Sequence, residues 1–73
     1  MTVTGKITWI KQGMGTWALV SEDGQTYELY GDKAEALDTE GQKVTVEGNI
    51  REDVMTMAMI GPVLEVQSFE SSE

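Results

Sequence analysis

Residues 42–50 constrain the fold of this chain more than any other stretch. Apolar side chains at Val44, Val46 and Ile50 lie on one side of an extended segment and polar ones on the other, the period-two pattern of a half-buried strand. Gly48 interrupts the apolar side, and a glycine inside a strand favours a bend of the kind found at a barrel corner. We therefore predict the central strand of a small closed sheet here.

Three earlier stretches show the same alternation and are separated by turns that contain glycine. The pattern predicts strands over residues 2–11, 16–21 and 25–30, joined by turns at residues 12–15 and 22–24. Because each connection is short, consecutive strands are expected to pair with one another. The first half of the chain is therefore predicted to form a three-stranded meander.

The period changes after the third predicted strand. Residues 32–37 begin with a capping Asp32 and place two apolar side chains, Ala34 and Leu37, three positions apart. This spacing predicts a short α-helix of one or two turns. Its Leu37 would close one end of the barrel.

A fifth strand is predicted after the central one, over residues 54–60 and again over residues 63–69, with a kink at Gly61-Pro62. The chain should form one domain over residues 1–70, followed by a frayed acidic tail at residues 71–73. Three strands, a short helix and two strands follow the order of the OB-fold, a five-stranded Greek-key barrel. The predicted fold is therefore an all-β, OB-fold-like barrel, with an SH3-like barrel or part of a β-sandwich as alternatives.

The alternation also predicts the core. A chain of 73 residues buries only about 60% of the surface that its unfolded form exposes, so its stability should be a few kcal/mol. The side chains that should be buried are Val3, Ile7, Leu19, Leu29, Val44, Val46, Ile50 and Leu64.

The composition excludes several kinds of chemistry. The chain has no Cys and no His, so it lacks thiolate nucleophiles, disulfides, imidazole bases and the commonest zinc and haem ligands. Neighbouring carboxylates lie beside turn glycines or between strands, where acidic residues are usually solvated. We therefore predict no enzyme, no catalytic residue and no cofactor.

The charge and hydropathy patterns bear on partners and location. Thirteen acidic residues against five basic ones give a net charge of −8, which disfavours nucleic-acid binding because such a chain repels phosphate backbones. No apolar run approaches the roughly 20 residues of a membrane span, and the first residues do not resemble a signal peptide. The chain as given is expected to be soluble. Its location is not predicted, except that a removed signal would place it in the periplasm or outside the cytoplasm.

Five segments together resemble a known group of small domains. They are GKI at residues 5–7, GTWALV at 15–20, EDGQTYEL at 22–29, GQKVTVEG at 41–48 and MAMIGPVLEV at 57–66. The chain resembles small bacterial OB-like domains of uncharacterised function, many of them exported or lipid-anchored. The resemblance implies an OB-like fold and an envelope location, and it carries over no catalytic residue.

Three methionines, Met55, Met57 and Met59, project from one side of the predicted fifth strand. A ladder of thioethers is a soft-ligand array that suits Cu(I) or Ag(I). Its Met-Thr-Met part is similar to the motif of OB-fold periplasmic copper chaperones, in which a Trp caps the metal. Those proteins also use a His ligand, which this chain lacks, and carry the motif in the middle of the chain. Packing or an apolar contact surface is therefore the favoured interpretation, with a soft-metal carrier as the alternative.

Four aromatic residues lie on the first three predicted strands, the face on which OB domains stack bases or sugars. Alternation places Trp9 and Trp17 on the core side, and Tyr27 and Tyr30 complete the set. Because no arginine-rich surface surrounds them, core and rim packing is the favoured interpretation. Binding of a small ligand, a neutral saccharide or a peptide stays open as an alternative.

The sequence thus predicts a non-enzymatic module that binds a protein or peptide partner or a second copy of itself. The candidate partner-binding residues are Met55, Met57, Met59, Trp17 and Tyr30. Both sides of the predicted strand at residues 54–60 are apolar, whereas a barrel strand normally shows one side to water. Something must cover the second side, so we predict a dimer or larger assembly with this strand at the contact.

Overall fold

A computed structural model describes residues 1–56 and 59–72 of the chain. Over these residues the chain forms five strands and one short 3-10 helix. In chain order they are β1 (Thr2–Ile10), β2 (Thr16–Ser21), β3 (Thr26–Tyr30), the 3-10 helix (Asp32–Ala36), β4 (Lys43–Ile50) and β5 (Val63–Ser71).

The five strands close into a barrel in the order β1-β2-β3-β5-β4. All neighbouring pairs are antiparallel except β3 and β5, which run parallel. The long β1 belongs to both halves of the barrel, because residues 2–6 pair with β4 and residues 5–10 pair with β2. The predicted all-β, five-stranded barrel is confirmed.

The pairing of β4 with β5 is irregular at Gly48, where the sequence predicts a bend, and the extra residue is Gln67 of β5. The pairing between β4 and β5 shifts by one residue between Glu47 and Gly48, which is a β-bulge. A Cβ atom at Gly48 would lie 1.9 Å from the carbonyl oxygen of Glu65. Only glycine allows the two strands to approach this closely.

The core fills the barrel interior much as the alternation predicts. Seven of the eight predicted core residues are buried, while Ile50 is half-buried and packs against the core from its edge. Leu37 is fully buried, as expected of the residue that closes one end of the barrel. The buried core residues are Val3, Ile7, Leu19, Leu29, Ala34, Leu37, Val44, Val46, Leu64 and Val66.

The predicted α-helix is a 3-10 helix. Its hydrogen bonds run between residues three apart, from the Ala34 amide to the Gly31 carbonyl at 3.1 Å and from the Leu37 amide to the Ala34 carbonyl at 2.9 Å. Gly31, not Asp32, is the residue that precedes the helix, and no side chain caps it. The segment is too short for an α-helix, and the three-residue spacing of its buried side chains suits the 3-10 repeat.

The strand predicted over residues 54–60 is wrong for the residues that the structure describes. Residues 54–56 and 59–60 lie outside any strand, and Met57 and Ala58 lie outside the described residues. The whole fifth strand is Val63–Ser71, so Gly61-Pro62 precedes it instead of kinking it. Strand β5 pairs with β3 along one edge and with β4 along the other. These are the two edges with which a strand at residues 54–60 would need to pair.

Backbone pairing continues into the segment predicted as a tail. Strand β5 ends at Ser71, and the Ser72 amide donates to the Lys43 carbonyl oxygen at 2.9 Å. Across the described part of the chain, no helix has the length and apolar character needed to cross a membrane.

Candidate functional site

The connection from β4 to β5 spans residues 51–62, of which the structure describes 51–56 and 59–62, and is called here the 51–62 loop. It leaves and returns to the barrel at one place, because the Arg51 amide donates to the Val63 carbonyl oxygen at 2.8 Å. Compact loops whose ends meet in this way hold their own shape on the protein surface and frequently carry function. The loop is therefore the first place to look for a binding site.

The side chain of Arg51, at the start of this loop, forms hydrogen bonds with another loop residue and with a residue of β5. The Arg51 guanidinium donates to both carboxylate oxygens of Asp53, at 2.9 and 2.7 Å, and to Glu65 Oε1 at 3.1 Å. Its hydrogen bonds hold the pKa of Asp53 below its usual range, and the two carboxylates raise the pKa of Arg51. A bidentate arginine–carboxylate pair fixes geometry better than a single ion pair does.

The 51–62 loop packs over the outside of the barrel. Alternation turns Ala18, Glu28 and Val63 outward on three adjacent strands, where they would meet water, yet all three are buried. The returning end of the loop lies against β3, because the Glu28 amide donates to the Pro62 carbonyl oxygen at 2.9 Å. A Cβ atom at Gly61 would lie 2.3 Å from the Thr26 carbonyl oxygen. The described residues of the loop therefore cover part of the outer face of β3 and β5.

A buried carboxylate links the middle of the loop to the barrel. The Thr56 hydroxyl donates to Glu28 Oε1 at 2.6 Å and accepts a hydrogen bond from the Met59 amide at 3.3 Å. Glu28 is only 6% exposed. Because burying a carboxylate without a partner is costly, this hydrogen bond favours the position of the loop seen here.

Two of the predicted partner-binding methionines project from this anchored loop into solvent. Met55 is 90% exposed and Met59 is 75% exposed. Together with Val54, Thr56, Gly61 and Val63 they line a crevice of about 260 Å³. The methionine ladder along one side of a strand is wrong for Met55 and Met59, since neither lies in a strand, and Met57 lies outside the described residues.

The aromatic residues do not form one continuous face. Trp9 and Trp17 are opposite each other on β1 and β2, with ring centroids 4.9 Å apart and an edge-to-face angle of 66°. Tyr27 is half-buried and lines a cavity of about 400 Å³ with residues 1–4 and 21–23, away from the tryptophans. Tyr30 is exposed on the outer face of β3. The predicted aromatic face is thus split between separate parts of the barrel.

Trp9 lies on the same side of β1 as Ile7, as the alternation predicts, but it is not buried. Trp17 is half-buried and packs against the core, whereas Trp9 is 38% exposed at the end of β1. The alternation that buries Ile7 continues to Trp9, but β1 reaches the rim of the barrel before it reaches the indole. Periodicity indicates the side of a strand, and it does not indicate where the neighbouring strands end.

Two kinds of metal site are considered for the described residues, a carboxylate cluster and the methionines. Over residues 1–56 and 59–72, no three Asp or Glu side chains lie close enough together to hold a metal ion. The Cu(I) or Ag(I) interpretation depended on a strand geometry that Met55 and Met59 do not have. Soft-metal binding by the methionines stays a prediction that the structure does not test.

The sequence reasoning missed Glu28, Arg51 and Thr56 as the residues that anchor the loop. Glu28 occupies a polar position in an alternating strand, which is the pattern of a solvated residue, so nothing in the sequence marks it as buried. The sequence does contain a signal for the role of Arg51, because it is the single arginine of the chain and directly precedes two acidic residues. An arginine beside carboxylates at the end of a strand is suited to anchor a loop.

The chain belongs to the family described as "Protein of unknown function (DUF5818)", whose model matches residues 3–71. A comparison with curated proteins found no match. A comparison with solved structures found none either.

Proposed function

We propose that this domain is a non-enzymatic binding module that holds a protein or peptide partner on the 51–62 loop. The strand order, with the 3-10 helix between β3 and β4 and closure of β4 onto β1, supports an OB-like assignment of the barrel. A loop between the fourth and fifth strands is one of the places where such barrels bind ligands. The export or lipid anchoring that the resemblance implies stays a prediction.

The observation that carries the proposal is the exposure of Met55 and Met59 on a loop that is otherwise tied down. The side chains of Arg51 and Thr56 anchor the loop by hydrogen bonds to Glu65 and Glu28. Anchoring lowers the entropy lost when a partner binds, because the contact surface is already in place. Thioether side chains are adaptable and polarisable, which suits them to contact apolar side chains of varied shape.

The chemistry around the methionines indicates the kind of partner. The crevice of about 260 Å³ between Val54, Met59 and Val63 is large enough for one apolar side chain. Glu52 and Asp53 lie beside it in the chain, and the chain carries a net charge of −8. A segment with an apolar anchor and basic flanking residues would complement this surface in both shape and charge.

Peptide selection followed by measured affinities tests the proposal. A displayed library of random peptides is selected on the immobilised domain, and the dissociation constants of the enriched peptides are measured by fluorescence anisotropy. We expect Met55→Glu and Met59→Glu each to weaken binding at least about tenfold, because a charge replaces an apolar contact at the centre of the surface.

Met14→Glu is the matched control. Met14 is 88% exposed, nearly as much as Met55, but it lies in the turn between β1 and β2. We expect this variant to bind within about twofold of wild type, since a substitution outside a binding surface has little effect. Failure to enrich any peptide, or equal affinities for all three variants and wild type, would contradict the proposal.

A further inference from the structure

The barrel opens at the end where β2 and β3 separate. Their pairing ends at Ala18 and Glu28. Beyond that point β3 remains paired with β5 along its other edge, through Leu29 with Leu64 and Tyr30 with Glu65. Trp17 and Leu29 therefore border a gap instead of pairing with each other.

This gap forms a crevice of about 260 Å³, called here the tryptophan crevice. Its walls are the two indoles, the apolar residues Leu29 and Ala34, and the rim residue Glu35, together with Gly15, Thr16 and Gly31. Trp9 is 38% exposed, and it lines both this crevice and a neighbouring cavity of about 340 Å³. A Cβ atom at Gly15 would lie 2.3 Å from the Trp9 ring, so the turn before β2 packs directly against this indole. The ring is thus held in place while part of it faces solvent.

The segment that borders the crevice at Glu35 carries negative charge, while Lys11 lines the neighbouring cavity with Trp9 and Gly15. The segment of residues 32–40 contains four acidic residues and one basic residue. Glu35 lines the crevice, and Glu40 accepts a hydrogen bond from the Trp9 amide at 3.3 Å. The net charge of −8 on the whole chain adds to this local potential. Anionic ligands are therefore repelled from the crevice and cations are attracted to it.

We propose that the tryptophan crevice binds an organic cation, a quaternary ammonium or guanidinium group, against the indole of Trp9. Indole is the side chain that attracts such cations best, because its ring carries a negative electrostatic face. Weakly hydrated organic cations also lose less than metal ions do when they enter an apolar crevice. None of the described residues of the 51–62 loop lines this crevice, so its test is independent of the proposed peptide site.

Tryptophan fluorescence tests the proposal directly, since the chain has two tryptophans and both line the crevice. Choline is titrated against wild type, and the same titration is made with its neutral isostere, in which a tert-butyl group replaces the trimethylammonium group. We expect a saturable change in fluorescence with choline, and binding of the isostere weaker by about fivefold or more. Raising the salt concentration should weaken choline binding and leave isostere binding unchanged.

Three variants locate the cation. Trp9→Leu should weaken choline binding by about fivefold, and Trp17 still reports on the crevice in this variant. Glu35→Gln keeps the indoles and should weaken choline binding by about twofold to fivefold. Glu52→Gln removes the same charge from the 51–62 loop, and we expect it to bind choline within about twofold of wild type.

The source of the cation is distinguished by a second ligand, a capped glycine peptide that carries one arginine. Tighter binding of choline would assign a free small molecule, and tighter binding of the peptide would assign the side chain of a partner. Equal affinity for choline and its neutral isostere would overturn the proposal. So would the absence of any saturable change with choline or the arginine peptide up to about 100 mM.

Discussion

The backbone of β4 passes close to that of β5 at Gly48, where an added Cβ would lie 1.9 Å from the Glu65 carbonyl oxygen. The atom in the way belongs to the backbone of a paired strand, so it cannot rotate aside as a side chain could. The alternation of Val44 and Val46 predicts a strand here, and the embedded glycine predicts the bend. The sequence pattern does not indicate that β5 lies beside Gly48, which is the reason that glycine is needed at this position.

The first prediction concerns this glycine. Gly48→Ala should lower the free energy of unfolding by about 2–3 kcal/mol, because the two strands must move apart to admit the methyl group. Urea denaturation provides the measurement. Gly24→Ala is the control: its Cβ would meet nothing within 4 Å, although φ is +91°, which costs about 1 kcal/mol. A Gly48→Ala midpoint equal to or above that of Gly24→Ala would contradict the packing described for β4.

Among the elements of the fold, the 51–62 loop departs most from the sequence prediction. Residues 54–60 form a short apolar run of residues that are tolerated in strands, bounded by turn residues, so the sequence pattern alone indicates a strand. A strand also needs a free edge to pair with, and β5 occupies the position between β3 and β4. Periodicity does not reveal which edges are already taken. The described residues of the loop instead lie outside the strands, and Arg51 and Thr56 tie the loop to the barrel.

The second prediction concerns the hydrogen bond between Thr56 and Glu28. Thr56→Val keeps the side-chain shape but removes the hydroxyl, which leaves the buried carboxylate without this donor. We expect the free energy of unfolding to fall by about 1–3 kcal/mol. Amide hydrogen exchange should accelerate first at Met59, whose amide also loses its hydroxyl acceptor.

Thr39→Val supplies the comparison for this experiment, because Thr39 is an exposed threonine in the segment before β4. An exposed substitution of this kind should change the free energy of unfolding by no more than about 0.5 kcal/mol. Equal stability of Thr56→Val and Thr39→Val, with unchanged exchange at Met59, would show that the loop does not depend on this hydrogen bond.

At the scale of the whole molecule, the barrel and most of its core could be predicted, whereas the candidate site could be predicted only in part. Strands that bury one face carry their pattern in the sequence, so Ile7, Leu19 and Val46 are buried as expected. Met55 was predicted to contact a partner and is exposed. Its surroundings depend on Glu28, whose burial results from loop packing that no local pattern encodes.

The third prediction concerns self-association. It was inferred from a strand that is apolar on both sides, a premise that fails because the described residues between 54 and 60 form no strand. The exposed thioethers of Met55 and Met59 still offer an apolar surface that a second copy could cover, so the prediction of a dimer or larger assembly stays open to test.

Sedimentation at micromolar concentration provides that test. If copies associate through the loop, wild type and Met14→Glu should sediment as dimers or larger species and Met55→Glu as a monomer, because two buried carboxylates would face each other at a two-fold contact. A monomeric wild type would reject self-association and leave a different protein as the partner. An assembly that survives Met55→Glu would place the contact elsewhere on the molecule.

If the 51–62 loop is the partner-binding surface, methyl NMR will detect the contact at its exposed methionines. Methionine labelled with carbon-13 at the methyl group gives one signal for each of the five methionines of the chain. When a selected peptide is added, the signals of Met55 and Met59 should shift and saturate together, while that of Met14 stays in place. Binding that shifts Met14 and leaves Met55 and Met59 unmoved would contradict the assignment of this loop as the binding surface.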